Sequence, residues 1–235
     1  VDLTWAHGID SNGNSDGLQL YTPFEEGAGT VADDWSLNGN DGTIYGATWS
    51  NGLYGKALSF DGDDYVDCGT DNSLNILGDI TIEAWINPNN VGLATVKPIV
   101  SKGTYNSGTY YLDIYSGSFR WNIGNSAFVS FGASSYEDKW VHVALVANGG
   151  TAKLYINGTE KQSTTYTSIT ESVYPLLIGS RSVSPSYFDG MIDEVRVYNR
   201  SLTEQEIIND YQSGLIRHGL YRSNTSSGTY EPVGG

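Results

Sequence analysis

The sequence predicts an all-β fold, a sandwich of two antiparallel sheets. Three observations carry that prediction. Apolar and polar residues alternate with period two in run after run, the pattern of strands with one buried face. Turn-forming pairs such as Asn51-Gly52, Asp61-Gly62, Ser116-Gly117 and Asn157-Gly158 separate these runs at roughly the 8–12-residue spacing of sandwiches and barrels. The 29 glycines, 17 tyrosines and 6 tryptophans suit short strands joined by tight turns.

Each run follows in order. Leu18–Phe24 alternates Leu, Leu and Thr with Gln and Tyr. Gly42–Trp49, Lys56–Phe60 and Tyr65–Gly69 are short and closed by Gly or Asp-Gly. Ile80–Pro88 is the clearest, with Ile82, Ala84 and Ile86 on one face and Thr81, Glu83 and Trp85 on the other. Pro98–Lys102, Thr109–Tyr115, Phe119–Ile123 and Ala127–Gly132 continue the pattern. Trp140–Ala147, Ala152–Asn157, Leu176–Ser180 and Gly190–Tyr198 complete it. One short C-terminal helix is predicted. Thr203 caps it, Glu206 completes a capping box, Ile207, Ile208 and Tyr211 form its apolar face, and Gly214 stops it.

At 235 residues one large sandwich is the expected domain count. It spans 18–213 between an extension at 1–17 and a Gly/Ser/Thr-rich extension at 214–235. Such tails are expected to be mobile unless they find a partner, their own domain or another copy of the chain. Asp and Glu total 27 against 12 Lys and Arg, a net charge of −15. That balance excludes nucleic acid, whose phosphates need clustered Lys and Arg, and disfavours anionic lipid. No apolar run is long enough for membrane insertion. Cys68 is the one cysteine and alternates inward with Val66, so it reads as a small buried hydrophobe.

Three kinds of chemistry come into question for these residues. Residues 33–42, Asp-Asp-Trp-Ser-Leu-Asn-Gly-Asn-Asp-Gly, concentrate side-chain oxygens and glycine. Such a loop can coordinate Ca²⁺ or can be a plain Asx-turn loop. Two further acidic groups, Asp61-Gly62-Asp63-Asp64 and Asp189 with Asp193-Glu194, stay open between ligands and turns. His7, His142 and His218 have no metal-ligand spacing. A glycanase needs two carboxyls about 5–9.5 Å apart, yet Ile80–Pro88 offers only Glu83 and Thr109–Tyr115 only Asp113. The expected role of Glu83 is a polar network with His142 or Arg196 on a solvated sheet face. With no nucleophile elbow or phosphate-cradling loop either, the chain does not read as an enzyme. For binding, Trp85, Tyr111 and Tyr115, with Asp113 as hydroxyl acceptor, are the candidates to stack and hydrogen-bond a sugar; packing under loops is the alternative. Trp35 and Leu37 stand out as apolar residues in a polar loop. Asn157, Asn199 and Asn224 begin N-x-S/T sequons and are glycosylation candidates.

The run from Leu18 to about Ser213 resembles the laminin-G-like domains of the concanavalin A-like lectin/glucanase superfamily. The phrases that carry the resemblance are Phe24-Glu25-Glu26-Gly27-x-Gly29, Asp34-x-Ser36-x-Asn38-Gly39-Asn40-Asp41-Gly42 and Gly55-Lys56-Ala57-Leu58-Ser59-Phe60-Asp61-Gly62. Further on come Ile80-Thr81-Ile82-Glu83-Ala84-Trp85, Trp140-Val141-His142-Val143-Ala144, Leu154-Tyr155-Ile156-Asn157-Gly158 and Phe188-Asp189-Gly190-x-Ile192-Asp193-Glu194-Val195-Arg196-Val197-Tyr198-Asn199-Arg200-x-Leu202. The resemblance implies a jelly-roll and an extracellular or cell-surface location. It also implies a structural Ca²⁺ tying the early loop to the last strand, with Asp34 and Asp193 as carboxylate ligands and Asn38 as a further oxygen. Trp35 and Leu37 depart from the small residues usual there. A recognition or adhesion module for a glycan or surface protein is the expected function. A subunit of a self-assembling surface filament or coat, joined through its tails, is the alternative, and a glycanase a distant third.

Overall fold

The computed structural model describes residues 16–53, 55–103, 110–124, 126, 129–182 and 186–225, the last nine of these by backbone alone. The predicted tail contacts between copies lie outside the described residues. Among the described residues sixteen strands and one α-helix follow in order: β1 Leu18–Thr22, β2 Val31–Ala32, β3 Gly42–Tyr45, β4 Thr48–Asn51, β5 Lys56–Asp61, β6 Tyr65–Asp67, β7 Ile80–Pro88, β8 Val96–Lys102, β9 Tyr110–Tyr115, β10 Ser118–Ile123, β11 Val129–Gly132, β12 Val141–Asn148, β13 Thr151–Ile156, β14 Thr159–Thr165, β15 Leu176–Ile178, β16 Asp189–Tyr198 and α1 Glu204–Thr225.

Two eight-stranded antiparallel sheets result. Sheet A runs β14-β13-β12-β7-β16-β5-β4, with β1 also on β16. Sheet B runs β11-β10-β9-β8-β15-β6-β3-β2. Alternation sends one face of each inward, where Ile82, Ala84 and Ile86 of β7 meet Leu112 and Ile114 of β9 and Trp121 of β10 in one continuous core. Cys68 is buried there, and burial pushes its thiol pKa well above the ordinary value.

Strand β16 organises sheet A. Its first half, Asp189–Ile192, pairs with β5, and its second half, Val195–Tyr198, pairs with β1. Between them the ladder to β7 slips, so that Trp85 pairs Asp193 and Glu83 pairs Arg196. Glu194 takes up the extra residue at φ +52°. It is a bulge, the device that re-aims side chains in a strand.

Sequence and structure differ in several places; the two-residue strand β2, Val31–Ala32, is not among the predicted runs. The predicted strand 42–49 is two strands, because Gly46 at φ +82° turns the chain between β3 and β4. Strand β14 escaped prediction because its sequence, Thr-Glu-Lys-Gln-Ser-Thr-Thr, is polar throughout. It sits at a sheet edge with little to bury. The helix is longer than predicted. Thr203 and Glu206 form the expected capping box, with Glu206 Oε2 accepting from Thr203 N at 2.7 Å, but the helix runs through Gly214. The boundary drawn at 213/214 therefore falls inside α1. Gly214 is there for space: a Cβ at this position would lie 2.7 Å from the indole of Trp85.

Gly214→Val is expected to cost about 1–3 kcal/mol by overpacking that contact. Urea unfolding, with tryptophan emission as a second probe, measures it; unchanged stability would show that α1 does not seat there.

Candidate functional site

The middle of the outer face of sheet A is covered. Its side chains pack on α1 and on the loop after β4. Ala144, Val146 and Tyr155 meet Leu202 and Ile207, while Trp85 meets Leu53, Trp140 and Tyr211. Trp85 stacks on Tyr211 with centroids 5.7 Å apart and is 2% exposed. The sequence reading offered Trp85 to a sugar; instead the longer helix takes its face.

A polar layer lies under the same helix. Glu83 is fully buried. Burial and the Asp210 carboxyl of α1 raise its pKa well above the ordinary value, with Arg196 pulling the other way. His142 Nε2 lies 3.5 Å from Glu83 Oε1, too far for a good hydrogen bond. Burial, aided by Arg196, lowers the His142 pKa to about 3. Burial thus favours the uncharged form of both groups. Arg196 pairs with Glu194, which also accepts from Tyr21 Oη at 2.9 Å. His142 and Arg196 lie beside Glu83 as expected, but no hydrogen bond joins either of them to it, and the face is dry, not solvated.

Asp113 lies on β9 of the other sheet, so Glu83 and Asp113 project from opposite outer faces and form no catalytic pair. Asp113 is fully buried between two guanidiniums. Arg120 Nε donates to it at 2.8 Å, and Arg181 pairs with its other oxygen. Arg120 lies 4.3 Å from the centroid of Tyr115, and Arg181 4.4 Å from that of Tyr111. Tyr111 is buried and Tyr115 is 37% exposed. Of the four predicted sugar contacts, three share one patch on sheet B and Trp85 is on the other side. In that patch the arginines occupy both the acceptor oxygens and the ring faces.

The open surface is the other half of sheet B. A cleft of about 420 Å³ is lined by Asn40, Asp41, Thr43, Tyr45, Asp67 and Asp71, among others. Tyr45 is 46% exposed and stacks on Tyr65 at 4.7 Å with an interplanar angle of 15°. Tyr65 in turn lies 6.5 Å from Tyr187. Each acid is fixed by a backbone N–H: Asp41 Oδ1 by Asp34 N at 2.8 Å, Asp67 Oδ1 by Gly69 N at 2.8 Å, and Asp71 Oδ1 by Ser73 N at 2.8 Å. The sequence reading placed Tyr45 and Tyr65 in strands without singling them out. Their pairing in the ladder β3–β6 is non-local, and only the parity of the two runs hinted at a shared face.

The early loop is built of hydrogen bonds. Asp34 Oδ1 accepts from Tyr21 N at 2.9 Å and Ser36 N at 2.8 Å. Its Oδ2 accepts from Ser36 Oγ at 2.7 Å and Asn40 N at 2.8 Å. Four donors fill a carboxylate's acceptor sites. Asn38 Nδ2 donates to the Leu18 and Gln19 carbonyls. Asp193 is not part of this network; its Oδ2 accepts from Leu53 N at 3.2 Å. The Asp34 carboxylate is thus held by donors of its own loop and of β1 and shares no hydrogen bond with Asp193, and the Asn38 amide is anchored through Nδ2. Leu37 is 82% exposed, whereas Trp35 packs edge-on against Tyr21 at 6.1 Å. Among the sequons, Asn157 Oδ1 accepts from His142 N at 3.0 Å, Asn199 is exposed, and Asn224 lies in the part of α1 given by backbone alone.

Two outcomes are expected. Asp113→Ala strands two mostly buried cations and should cost about 3–5 kcal/mol, read by urea unfolding; a loss below 1 kcal/mol would contradict the arrangement. The pH profile of stability should have two limbs. His142, with its folded pKa below the unfolded 6.5, contributes stability that is lost as pH falls from about 6.5 toward 3. Glu83, with its folded pKa raised, contributes stability present below the ordinary carboxyl range and lost as pH rises through its folded value. Each limb slopes by at most about 1.4 kcal/mol per pH unit. His142→Gln should flatten the acid limb and Glu83→Gln the other.

Comparison with known proteins agrees with this architecture. The Laminin_G_3 model, described as concanavalin A-like lectin/glucanases superfamily, matches residues 60–208. The adhesion G-protein coupled receptor V1 of Danio rerio is 27% identical over 149 residues, which cover 56% of this chain and 2% of the receptor. The binding domain of Paraclostridial Mosquitocidal Protein 1 superposes with a TM-score of 0.65 at 17% identity, over 84% of this chain and 52% of that one. Trypanosoma rangeli sialidase in complex with sialic acid gives 0.68 at 18%, over 86% and 33%. The botulinum neurotoxin serotype D ligand binding domain in complex with N-acetylneuraminic acid gives 0.65 at 18%, over 84% and 51%. Such low identities show the shared fold, and this chain spans about half or less of each of these proteins. The family match runs over more than half of the 235 residues, and the chain belongs to the Laminin_G_3 family of the concanavalin A-like lectin/glucanases superfamily.

Proposed function

We propose that this chain is a non-catalytic recognition or adhesion module, working outside the cell or at its surface, that holds a neutral glycan in the cleft beside Tyr45. The observation that carries the reading is the pairing of an exposed, stacked tyrosine with a cleft bearing Asp41, Asp67 and Asp71. Aromatic faces pack against the C–H face of a sugar ring, and rigid carboxylates accept from its hydroxyls. Three carboxylates repel an anionic sugar, and the guanidiniums of Arg120 and Arg181 are committed to Asp113. A sialylated ligand is therefore disfavoured here. The fold also supports a binding role: the solved neighbours include two toxin binding domains, and the curated relative is an adhesion receptor. On sheet A the Glu83 carboxyl is fully buried under α1, whose Asp210 acts on it electrostatically, so it is not presented to a sugar.

A glycan array followed by calorimetry tests this. Neutral oligosaccharides should bind and sialylated ones should not. Tyr45→Ala should weaken binding about tenfold, the loss of one stacking contact, and Asp67→Asn should weaken it too, with the fold intact by circular dichroism. Binding that is unchanged in both variants, or confined to acidic glycans, would refute the assignment.

A further inference from the structure

Helix α1 is fixed to sheet A unequally along its length. Its start is bonded and packed. Leu202 N donates to Thr81 Oγ1 at 2.9 Å, Arg200 Nη2 donates to Glu206 Oε1 at 2.8 Å, and Leu202 and Ile207 are buried against Ala144, Val146 and Tyr155. From Asp210 onward the support changes. Tyr211 stacks on Trp85 and lies 6.2 Å from the His142 ring, Gly214 sits against the indole, and Leu215 and Ile216 are exposed. His142 in turn lies 3.5 Å from Glu83. Both nitrogens of the one and both oxygens of the other are buried with no hydrogen-bond partner among the described residues. Covering such groups costs free energy that contact with water returns. Gly214 adds to the imbalance, because glycine is among the weakest residues at propagating a helix.

We propose that α1 is a hinged cover: its start stays on sheet A while the part from Asp210 onward lifts away as pH rises, baring Trp85, His142 and Glu83. Off the sheet this part is too short to stay helical alone, so lifting and unwinding are one event. The groups beneath set the direction. Covered, Glu83 keeps its proton to higher pH, through burial and Asp210 and against the pull of Arg196. Its contribution to closure is complete below the ordinary carboxyl value of 4.5 and is lost as pH rises through the covered value. Asp210, whose pKa burial also raises, pushes the same way. His142 works in the opposite sense. Burial and Arg196 hold it at about 3 when covered, so its contribution is complete above 6.5 and is lost as pH falls. Between 4.5 and 6.5 the two slopes offset each other; above 6.5 the carboxyl slope stands alone and the cover loosens. The other ionisable groups around the layer do not change this. Glu206 is held at the cap by Arg200 and Thr203, and burial pushes Tyr198 up out of the range. Arg196 keeps its charge beside Glu194, which Tyr21 also bonds. The device lies on the opposite sheet from the Tyr45 cleft and is independent of it.

The test is hydrogen–deuterium exchange of the full chain between about pH 6 and 8.5, corrected for the intrinsic exchange rate. Amides of residues 211–216 should exchange through local opening, with protection falling by up to about tenfold per pH unit, while those of β7 and β12 keep theirs. Acrylamide quenching of tryptophan emission should increase over the same range in the wild type and stay level in Trp85→Phe. Glu83→Gln should abolish the alkaline loss of protection, and His142→Gln should keep it. If the Gln variant does not fold, Glu83→Met gives the same reading without a polar group. Protection of 211–216 that is unchanged across the range, or that is lost together with that of β7 and β12, would overturn the assignment. So would an alkaline loss that persists without the Glu83 carboxyl.

Discussion

The architecture turns on the slip in strand β16. One strand serves three neighbours: β7 along one side, and β5 then β1 along the other. Two partners can share one edge only if the strand is interrupted between them, and Glu194 in the left-handed region supplies the interruption. The consequences spread from there. Asp193 is left at the junction, Glu194 is turned toward Arg196 and Tyr21, and the loop after β4 is drawn over Trp85. A regular ladder through this point would put Glu194 on the opposite face, into the core.

The two outer faces are used differently, and the difference follows from what each must bury. Sheet A carries ionisable and aromatic groups that need a cover: Glu83, His142, Arg196 and Trp85. Helix α1 provides it, with a carboxyl from Asp210 for the polar part and Tyr211 and Gly214 for the ring. Its composition suits that task more than an independent helix: the apolar positions are few, and the capping box holds its start. Among the described residues no α-helix covers sheet B. Half of it is sealed by two arginines lying over tyrosines, and the other half is left open around Tyr45. A single sandwich thus separates stability on one side from contact on the other.

Much of the fold was legible because period-two alternation is a local signal. Thirteen runs could be placed; β2, two residues long, is too short to alternate, and β14 was lost because an edge strand with both faces wet has no alternation to show. The capping box was likewise local, and Thr203 and Glu206 bond as expected. Gly214 misled because a glycine after an apolar stripe looks like a stop, and nothing in the sequence says that an indole from 129 residues earlier needs its missing side chain. The site was less legible for the same reason. Parity correctly grouped Tyr111, Asp113 and Tyr115, but it cannot tell which sheet a strand joins, so Trp85 was placed with them. The Asp34 loop was visible as a polar cluster, while the donors that fill its acceptor sites are mostly main-chain groups without a sequence signature.

The pairing of β1 with the far end of β16 also has a mechanical side. Leu18 opposes Tyr198, and the Gly17 carbonyl accepts from Asn199 N at 2.7 Å. The polypeptide therefore enters and leaves the sandwich at neighbouring points. A module with adjoining entrance and exit can be spliced into a host protein with little stretching of either side. Tension between those points would meet the β1–β16 ladder end-on and peel it rung by rung, since the two strands are antiparallel and gripped at the same end. Among the described residues, the packing of α1 and the contacts of Arg200 with Asp16 and Thr81 stand between such a pull and the first rung.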